Sequence, residues 1–227
     1  MKTAMILAAG RGERLRPLTD KMPKALCTVR NKPLIEHHII NLANAGFERL
    51  IINHAYLGGQ IRQYIGNGKQ WGLNVIYSPE PPGGLETGGG IVNALPLLGE
   101  EPFLTVNADI YTDFDFAKLQ LKNIDTFHLL LIPKNPSLLH HGDFGLINGS
   151  HLTNTNQAYT FSGIACYNPK VFANCRQGRY SVTPLLRKYV EQNSATGSVH
   201  SGIWYDIGSF DRLQAANQFT KPRLVFR

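Results

Sequence analysis

The chain has 227 residues, of which 43% are hydrophobic and 17% are charged, a composition typical of a globular α/β protein. No apolar run approaches the roughly 18 residues that a membrane-spanning helix needs, so we expect no membrane partner. The three cysteines lack metal-ligand spacing, and their odd number fits a reducing compartment. We therefore predict a cytoplasmic protein.

The net charge of +7 favours a partner that carries negative charge. The basic residues are scattered, with local concentrations only at residues 11–16 and 21–32. Neither a basic tail nor the aromatic motif of an RNA-binding sheet accompanies them. A cleft for a phosphorylated small molecule explains the charge more simply than a nucleic acid does, so we predict no nucleic-acid partner.

Apolar runs alternate with helical patterns along the chain, which predicts a mostly parallel sheet covered by helices. The strand candidates are Ala4–Ala9, Arg49–Asn53, Leu73–Tyr77, Phe103–Asn107, Phe127–Ile132, Phe161–Tyr167 and Ile203–Ile207. The helix candidates are Leu34–Ala45, Gly59–Ile65, Asp115–Leu121, Thr183–Glu191 and Phe210–Phe219. The stretch from about 134 to 160 is the least regular, which predicts a loop or lobe over a site.

The first predicted strand runs into a glycine-rich basic loop that contains the parts of a triphosphate site. Gly10 and Gly12 have no side chains, so backbone N–H groups can approach phosphate oxygens closely. Arg14 offers a planar fork of donors, and Lys24 is a compact point charge. By itself, the Gly-x-Gly spacing fits an ordinary tight turn between a strand and a helix equally well.

The full string from Leu7 to Lys24 resembles the signature of the sugar-1-phosphate nucleotidyltransferases, L-x-x-G-x-G-x-R-x-x-P-L-T followed by P-K. The resemblance implies a Rossmann-like, three-layer α/β fold that binds a nucleoside triphosphate and a sugar 1-phosphate. It also implies that Arg14 holds the outer phosphates and that Lys24 neutralises charge around the α-phosphorus. The nucleotide-binding residues that it implies in this loop are Ala8, Ala9, Gly10 and Gly12.

A second glycine-rich segment, residues 85–91, contains three consecutive glycines. Because each glycine costs about 1 kcal/mol in a helix relative to alanine, the sequence predicts a loop followed by a short helix over Ile91–Leu95. A flexible loop without a ligand is one interpretation. The family resemblance implies instead that the loop recognises the nucleobase through Glu86, Thr87 and Gly88.

Two aspartates that follow or end predicted strands are candidates for a metal site. Asp109 comes just after Phe103–Asn107, and ligands of open α/β sheets collect at the carboxyl ends of strands. A carboxylate at such a point also commonly serves as a turn or capping residue. The resemblance implies that Asp109 and Asp206 bind Mg²⁺, which prefers one or two carboxylates together with substrate oxygens. It also implies that Asn107 contacts the nucleotide.

The sugar-side candidates lie in the second half of the chain. The resemblance implies sugar contacts from Asp143 and Gly145, with Gly145 near the hydroxyls, and a pocket floor from Ser162 and Gly163. The acidic E-K-P element that many hexose-1-phosphate enzymes carry between these two segments is missing here. Its absence weakens a plain glucose assignment.

Within the family, the chain is most similar to a short bacterial subgroup that uses UTP and N-acetylmuramic acid 1-phosphate in cell-wall recycling. The segments that carry this similarity are 53–58, 77–80, 85–90, 142–144 and 160–163. The implied products are UDP-N-acetylmuramic acid and pyrophosphate. The implied architecture is one catalytic domain over residues 1–227 without a β-helix extension, as a monomer or homodimer. Its nucleotide half is expected at about 1–110 and its sugar-phosphate half at about 111–227.

Two other functions are compatible with the sequence. The first is a mannose- or glucose-1-phosphate nucleotidyltransferase that uses GTP or dTTP, which a panel of substrates would separate. The second is a non-catalytic, nucleotide-sensing regulatory subunit of the same fold. A regulatory subunit is expected to have lost Lys24, Asp109 or Asp206, and all three are present.

N-acetylmuramic acid carries a lactyl carboxylate, so a basic residue is expected near the sugar. The available candidates in the sequence are Arg30, Lys32 and Arg187, and the sequence does not choose among them.

Overall fold

A nine-stranded sheet runs through the computed structural model, which describes residues 1–119, 121, 126–134 and 142–218. The strands are β1 Thr3–Leu7, β2 Thr28–Val29, β3 Lys32–Pro33, β4 Arg49–His54, β5 Asn74–Pro79, β6 Phe103–Asn107, β7 Ile110–Thr112, β8 Phe127–Pro133, β9 Gly145–Ile147, β10 His151–Thr153, β11 Tyr159–Tyr167, β12 Ala195–Val199 and β13 Trp204–Asp206. The α-helices are α1 Leu18–Lys21, α2 Leu34–Asn44, α3 Gly58–Ile65, α4 Glu86–Leu98, α5 Thr183–Glu191 and α6 Phe210–Gln218.

The central sheet has the strand order β5-β4-β1-β6-β11-β8-β12-β10-β9. The first four of these strands pair in parallel, and β12 pairs in parallel with β8. Strand β11 is antiparallel to β6 and β8, and β10 is antiparallel to β12 and β9. Because only β10 and β11 are reversed, the sheet is mostly parallel, and the predicted fold class is confirmed. Two small sheets, β13-β7 and β2-β3, flank it.

Helices cover both faces of the sheet and give the molecule three layers. Along β1, Ala4 and Ile6 join an apolar cluster with α2 and α3, whereas Met5 joins a second cluster with α4 and α5. All three side chains are fully buried. Such alternation is what a strand between two helical layers requires. In the part of the chain that the structure describes, no helix is both long and apolar enough to cross a membrane.

Most predicted elements are present, with ends shifted by up to two residues. The strand Phe103–Asn107 and the helix Thr183–Glu191 have the predicted bounds. The predicted helix Asp115–Leu121 is wrong, because the chain there forms only a short 3₁₀ helix, Phe116–Lys118. The Asp115 carboxylate caps it by accepting from the backbone N–H of Ala117 at 3.0 Å. Residues 120 and 219, the latter the end of the last predicted helix, lie outside the described residues.

The sequence pattern misses three strands in the second half of the chain. Strands β9 and β10 lie in the stretch that was expected to be irregular, of which residues 135–141 lie outside the described part of the structure. Strand β12 has the weakly apolar sequence Ala-Thr-Gly-Ser-Val and is held in place by its parallel pairing with β8. The division of the chain into two halves near residue 110 stays a prediction.

The three consecutive glycines lie inside helix α4, so the expectation of a loop followed by a short helix at residue 91 is wrong. The tertiary contacts explain the difference. The backbone N–H groups of Gly88 and Gly89 both donate to the carbonyl of Tyr180, at 3.0 and 3.2 Å. A Cβ atom on Gly89 would overlap the carbonyl of Gly178, and one on Gly88 would come within 2.7 Å of the Tyr180 ring. The glycines therefore admit a neighbouring segment rather than supply flexibility.

Replacing Gly89 with alanine is expected to destabilise the fold, because the new Cβ would force the backbone carbonyl of Gly178 away. Overpacking of this kind costs about 1–3 kcal/mol in the free energy of unfolding, measured by urea denaturation. The control is Gly59→Ala in α3, where a Cβ would meet nothing within 4 Å and should stabilise the helix by about 0.5–1 kcal/mol. Equal effects of the two changes would contradict this explanation of the glycines.

Candidate active site

A cavity of about 820 Å³ opens at the carboxyl ends of β1, β4 and β6. Ligands of open α/β sheets collect at this edge. The lining residues are 7–11, 13, 24–25, 53, 55–56, 80, 82–84, 86–87, 107–109 and 179. Eight predicted site residues are among them: Ala8, Ala9, Gly10, Lys24, Glu86, Thr87, Asn107 and Asp109. The other eight lie elsewhere: Gly12, Arg14, Gly88, Asp143, Gly145, Ser162, Gly163 and Asp206.

An ion pair between Lys24 and Asp109 lies in the wall of this cavity. The Nζ of Lys24 donates to Oδ2 of Asp109 at 2.5 Å, across 85 positions of sequence. Both side chains are mostly buried, with 14% and 29% of their surface exposed. Lys24 begins a short 3₁₀ helix, and Asp109 lies in the tight turn between β6 and β7. The arrangement fixes one cation and one carboxylate beside the glycine-rich loop.

Asp206 lies next to Asp109 on a neighbouring strand. It is the register partner of Ile110 in the β13-β7 pair, and the N–H of Ile207 donates to the carbonyl of Asp109 at 2.9 Å. Its Oδ2 accepts a hydrogen bond from Nη1 of Arg212 at 2.7 Å. The structure thus brings together the two aspartates that are 97 positions apart in sequence, although Asp206 is not part of the cavity lining.

The donor set of the two aspartates suits a hard cation. Among the described residues there is no cluster of three or more His, Cys, Asp and Glu side chains placed to hold a metal. Mg²⁺ does not need one, because it usually binds one or two carboxylates and takes its other ligands from water and substrate phosphates. The pair Asp109 and Asp206 fits that pattern.

A hydrogen-bonded chain through Asn53 and Glu80 holds the other side of the cavity. The Oδ1 of Asn53 accepts from the backbone N–H of Ala8 at 2.7 Å, and its Nδ2 donates to Oε1 of Glu80 at 2.6 Å. The Oε2 of Glu80 accepts from the N–H of Leu85 at 2.7 Å. Gly90 leaves room for these groups, since a Cβ there would lie 2.6 Å from Oε1 of Glu80. The chain therefore connects the glycine-rich loop to the beginning of helix α4.

The Glu80 carboxyl is almost completely buried, and this burial raises its pKa above the ordinary value of 4.5. The hydrogen bonds from Asn53 and from the N–H of Leu85 act in the opposite direction, but their effect on the pKa is smaller. The sequence interpretation missed Asn53 and Glu80. Asn53 ends one predicted strand, and Glu80 lies shortly after the end of the next predicted strand. A polar residue at the end of a strand is the same signal that pointed to Asp109.

The glycine-rich loop is held by contacts that the sequence does not reveal. Gly12 adopts a left-handed conformation with φ of 71°, and its carbonyl accepts from the hydroxyl of Thr19 at 2.9 Å. The guanidinium of Arg11 donates to the carbonyl of Thr19 and to Asp20, and it lies 3.8 Å from the centre of the Tyr56 ring. Arg11 and Tyr56 both line the cavity and were missed from the sequence.

Arg14 is exposed and lies outside the cavity lining. Its guanidinium is next to Gly208, where an added Cβ would come within 2.8 Å of Nη2. Gly208 is two residues from Asp206 in the chain, and its N–H donates to the carbonyl of Asp206 at 2.9 Å. Arg14 is therefore on the side of the two aspartates rather than inside the cavity.

The predicted nucleobase residues lie at the beginning of helix α4. Glu86 has a positive φ of 59°, and its carboxylate accepts from Nε of Arg179 at 3.3 Å. Glu86 and Thr87 line the cavity, whereas Gly88 is buried against Tyr180. Arg179 was not a predicted site residue, and it lines the cavity where it contacts Glu86 of α4.

The predicted sugar-side residues surround strand β11. The Oδ2 of Asp143 accepts from the N–H of Phe161 at 2.8 Å, and the carbonyl of Ser162 accepts from the indole N–H of Trp204 at 3.0 Å. Gly163 lies in the irregular part of the β11-β8 pairing, where a Cβ would come within 2.7 Å of Nδ2 of Asn107. This segment therefore abuts the carboxyl end of β6. Gly145 packs against the carbonyls of residues 155 and 156.

These features define an α/β protein with two neighbouring aspartates and a lysine at the carboxyl edge of its sheet. The chain belongs to the nucleotidyl transferase family, whose profile matches residues 3–223.

Two curated relatives cover almost the whole chain. It is 47% identical over 222 residues to the N-acetylmuramate alpha-1-phosphate uridylyltransferase of Neisseria meningitidis, covering 94% of this chain and 96% of that protein. It is 31% identical to the protein of the same name from Caulobacter vibrioides, covering 91% and 92% of the two chains. The fold matches a crystal structure of UDP-glucose pyrophosphorylase complexed with UDP-glucose, with a TM-score of 0.77, 19% identity and coverage of 96% and 97%. The predicted family is confirmed.

Removal of the Asn53 side chain is expected to destabilise the fold. In Asn53→Ala, the buried N–H of Ala8 and the Glu80 carboxylate each lose a partner, at a cost of about 1–3 kcal/mol in the free energy of unfolding. The control is Asn74→Ala, at an exposed position at the beginning of β5, where we expect a change of about 0.5 kcal/mol or less. Urea denaturation measures both, and an Asn53→Ala variant as stable as the control would contradict the role of the chain.

The raised pKa of Glu80 predicts a pH dependence of stability. The folded state binds this proton more tightly than the unfolded state, so the contribution of Glu80 is greatest below pH 4.5 and declines as pH rises. The free energy of unfolding of the wild type minus that of Glu80→Gln should therefore fall between pH 4.5 and neutrality. Denaturation of both proteins across this range measures it. A difference that stays constant or rises would contradict the buried, proton-favouring site.

Proposed function

We propose that the protein transfers a uridylyl group from UTP to N-acetylmuramic acid 1-phosphate, giving UDP-N-acetylmuramic acid and pyrophosphate. The observation that carries this proposal is the 47% identity to the Neisseria uridylyltransferase across 94% of this chain. The ion pair of Lys24 and Asp109 in the cavity supports an active enzyme rather than a regulatory subunit. A phosphate-bearing substrate pair also accounts for the net charge of +7.

The reaction needs no nucleophile from the protein. A phosphate oxygen of the sugar 1-phosphate attacks the α-phosphorus of UTP, and a new P–O bond forms there. The bond from the α-phosphorus to the oxygen bridging the β-phosphate breaks, and the electron pair leaves with pyrophosphate. Transfers of this type depend on positioning and charge stabilisation more than on covalent chemistry. The protein therefore has to hold two anions together and stabilise the charge between them.

Lys24 is the cation best placed for that task. Its ammonium is held on a short helix beside the loop of residues 8–12, in a cavity wall where charge interactions are stronger than in water. Asp109 and Asp206 would hold Mg²⁺, and a bound Mg²⁺ neutralises phosphate charge and orients the phosphates. If Asp109 held the metal, the Lys24 ammonium would be available to phosphate oxygens. Arg14, beside Gly208, would act on the outer phosphates from the side of Asp206.

The remaining nucleotide-site residues lie in the glycine-rich loop and at the beginning of α4. Backbone N–H groups of Ala9 and Gly10 would bind phosphates. The N–H of Ala8 donates to Asn53, which is bonded in turn to Glu80, so Ala8 would contribute by fixing where the loop begins. Glu86 and Thr87 would contact the base or ribose. Gly88 and Gly12 would act by shaping the backbone, because neither lines the cavity.

The sugar would extend toward the segments of Asp143, Gly145, Ser162 and Gly163. The contact between Gly163 and Asn107 supports this direction, since it joins those segments to the edge of the cavity. A cytoplasmic location and a role in peptidoglycan recycling follow from these substrates as part of the same proposal. The three free cysteines are compatible with that location.

The experiment that tests the proposal is pyrophosphate release with UTP, Mg²⁺ and a panel of sugar 1-phosphates. The panel contains N-acetylmuramic acid, N-acetylglucosamine, glucose and mannose 1-phosphates, and GTP and dTTP replace UTP in parallel reactions. We expect a preference for N-acetylmuramic acid 1-phosphate of about tenfold or more in kcat/KM. A preference for mannose or glucose with GTP or dTTP would establish the alternative enzyme. No turnover with any combination would favour the regulatory subunit.

Replacing either aspartate with asparagine is expected to abolish Mg²⁺-dependent turnover. Mg²⁺ prefers charged carboxylate oxygens to neutral amide oxygens, so Asp109→Asn and Asp206→Asn should each weaken its binding. Pyrophosphate release during a Mg²⁺ titration measures the effect. The control is Asp211→Asn, an exposed carboxylate at the beginning of α6, which should retain the wild-type response. Near-normal Mg²⁺-dependent rates in both site variants would exclude the two-aspartate site.

A further inference from the structure

We propose that Arg212 is a positioning residue for the divalent cation, a role that it performs by holding the carboxylate of Asp206. The inference rests on the proposed function, in which Asp109 and Asp206 bind Mg²⁺. Arg212 lies in helix α6 and was not a candidate from the sequence. The basis of the proposal is its contact with Asp206, its place outside the cavity and the anchoring of its helix.

A charge-assisted hydrogen bond joins the two side chains. Nη1 of Arg212 donates to Oδ2 of Asp206 at 2.7 Å, and only 24% and 22% of the two side chains are exposed. Bonds of this kind are short and directional, so the carboxylate is held in one orientation. Within the described residues, Oδ1 of Asp206 has no hydrogen-bond partner. Arg212 therefore holds one oxygen and leaves the other for a ligand.

Asp109 has the same arrangement with a different cation. Lys24 holds its Oδ2, and its Oδ1 also lacks a hydrogen-bond partner in the part of the chain that the structure describes. The two pairs differ in their place, because Lys24 lines the cavity and Arg212 does not. Lys24 is thus placed to contact a substrate, whereas Arg212 is placed to act through Asp206.

The two aspartates need such support because they lie close together. Asp206 pairs in register with Ile110, the residue after Asp109, and neighbouring carboxylates repel each other. A fixed cation on each carboxylate offsets this repulsion. Groups that hold the ligands of a metal also set the orientation of those ligands, and losing such a group typically lowers metal affinity by about 10–100-fold.

The backbone between Asp206 and Arg212 forms a closed turn, which explains how a guanidinium six positions away reaches the carboxylate. The N–H of Gly208 donates to the carbonyl of Asp206 at 2.9 Å. The N–H groups of Arg212 and Leu213 donate to the hydroxyl and the carbonyl of Ser209, at 3.4 and 3.0 Å. Helix α6 therefore begins directly beside the strand that carries Asp206.

Helix α6 is anchored at its other end on the β2-β3 pair. The Nδ2 of Asn217 donates to the carbonyl of Thr28 at 3.2 Å, and its Oδ1 accepts from the N–H of Arg30 at 2.9 Å. Ala216 is fully buried in an apolar cluster that includes Val29 of β2. These contacts fix the backbone from which the arginine projects, so its guanidinium is offered from a rigid support.

The test is the metal affinity of Arg212→Met, which keeps an unbranched side chain but removes the charge and the donors. Mn²⁺ alone is titrated into the substrate-free enzyme and followed by its electron paramagnetic resonance signal. The Mg²⁺ concentration that gives half-maximal pyrophosphate release is measured separately. We expect both constants to rise about tenfold or more. The kcat at saturating Mg²⁺ and the KM for the sugar 1-phosphate should change little, because Arg212 does not line the cavity.

Two further variants of Arg212 complete the test. Arg212→Lys should restore part of the metal affinity, because an ammonium can still donate to the carboxylate although the fork is lost. Arg212→Gln removes the charge and shortens the side chain, and we expect it to lose affinity as Arg212→Met does. The proposal can therefore be tested even where the methionine variant does not fold.

The matched control is Arg176→Met, which removes the same charge from an exposed position that does not line the cavity. It should keep the wild-type constants for both metals. Wild-type constants in Arg212→Met would make the ion pair a structural contact of α6 and overturn the proposal. Tighter metal binding in that variant would also overturn it, because Arg212 would then compete with the metal for Asp206.

The two measurements separate this role from the proposed function. A wild type that binds Mn²⁺ but does not turn over N-acetylmuramic acid 1-phosphate would overturn the proposed function, and the Mn²⁺ titration would still decide the role of Arg212. An active wild type whose metal constants match those of Arg212→Met would overturn the role of Arg212 alone. A wild type with neither Mn²⁺ binding nor Mg²⁺-dependent turnover would overturn the two-aspartate site, and this role with it.

Discussion

The ion pair between Lys24 and Asp109 is the interaction on which the proposed chemistry depends. It joins the end of the glycine-rich loop segment to the turn after β6, so two distant parts of the chain meet at one edge of the sheet. Each partner orients the other in a cavity wall where both side chains are mostly buried. In the proposed reaction, the lysine would contact a phosphate and the aspartate would hold a metal. In the structure, each of the two groups has the opposite charge beside it.

The geometry around that pair is maintained by residues to which we assign no part in the reaction. The chain from Ala8 through Asn53 and Glu80 to Leu85 spans the cavity, and it exists because Gly90 leaves room for it. On the other side of α4, the neighbouring glycines allow the segment that carries Arg179 to pack against the helix. The three consecutive glycines of α4 therefore make room for two different parts of the cavity wall. They admit a buried carboxyl on one face and an arginine-bearing segment on the other.

The sequence predicted the fold class, and eight of its sixteen candidate site residues line the cavity. Particular residues show the physical reasons. Buried strands such as Phe103–Asn107 are visible as apolar runs, and the residues that follow them, such as Asp109, are found by position. The glycines of α4 were misread because helix propensity is local, whereas the reason for them is the carbonyl of Gly178. Arg179 could not be found from the sequence at all. Its segment is held at the cavity by long-range contacts with α4 that no periodicity encodes.

The most direct test of the central claim is the turnover number of Lys24→Met measured by pyrophosphate release. The change removes the ammonium from the cavity wall but keeps an unbranched side chain of similar length. The account predicts a fall in kcat on the order of 10²–10³. Lys21→Met, an exposed lysine three residues earlier, should leave kcat unchanged. A Lys24→Met variant that folds and turns over at a near-normal rate would contradict the claim that this charge stabilises the transferring phosphate.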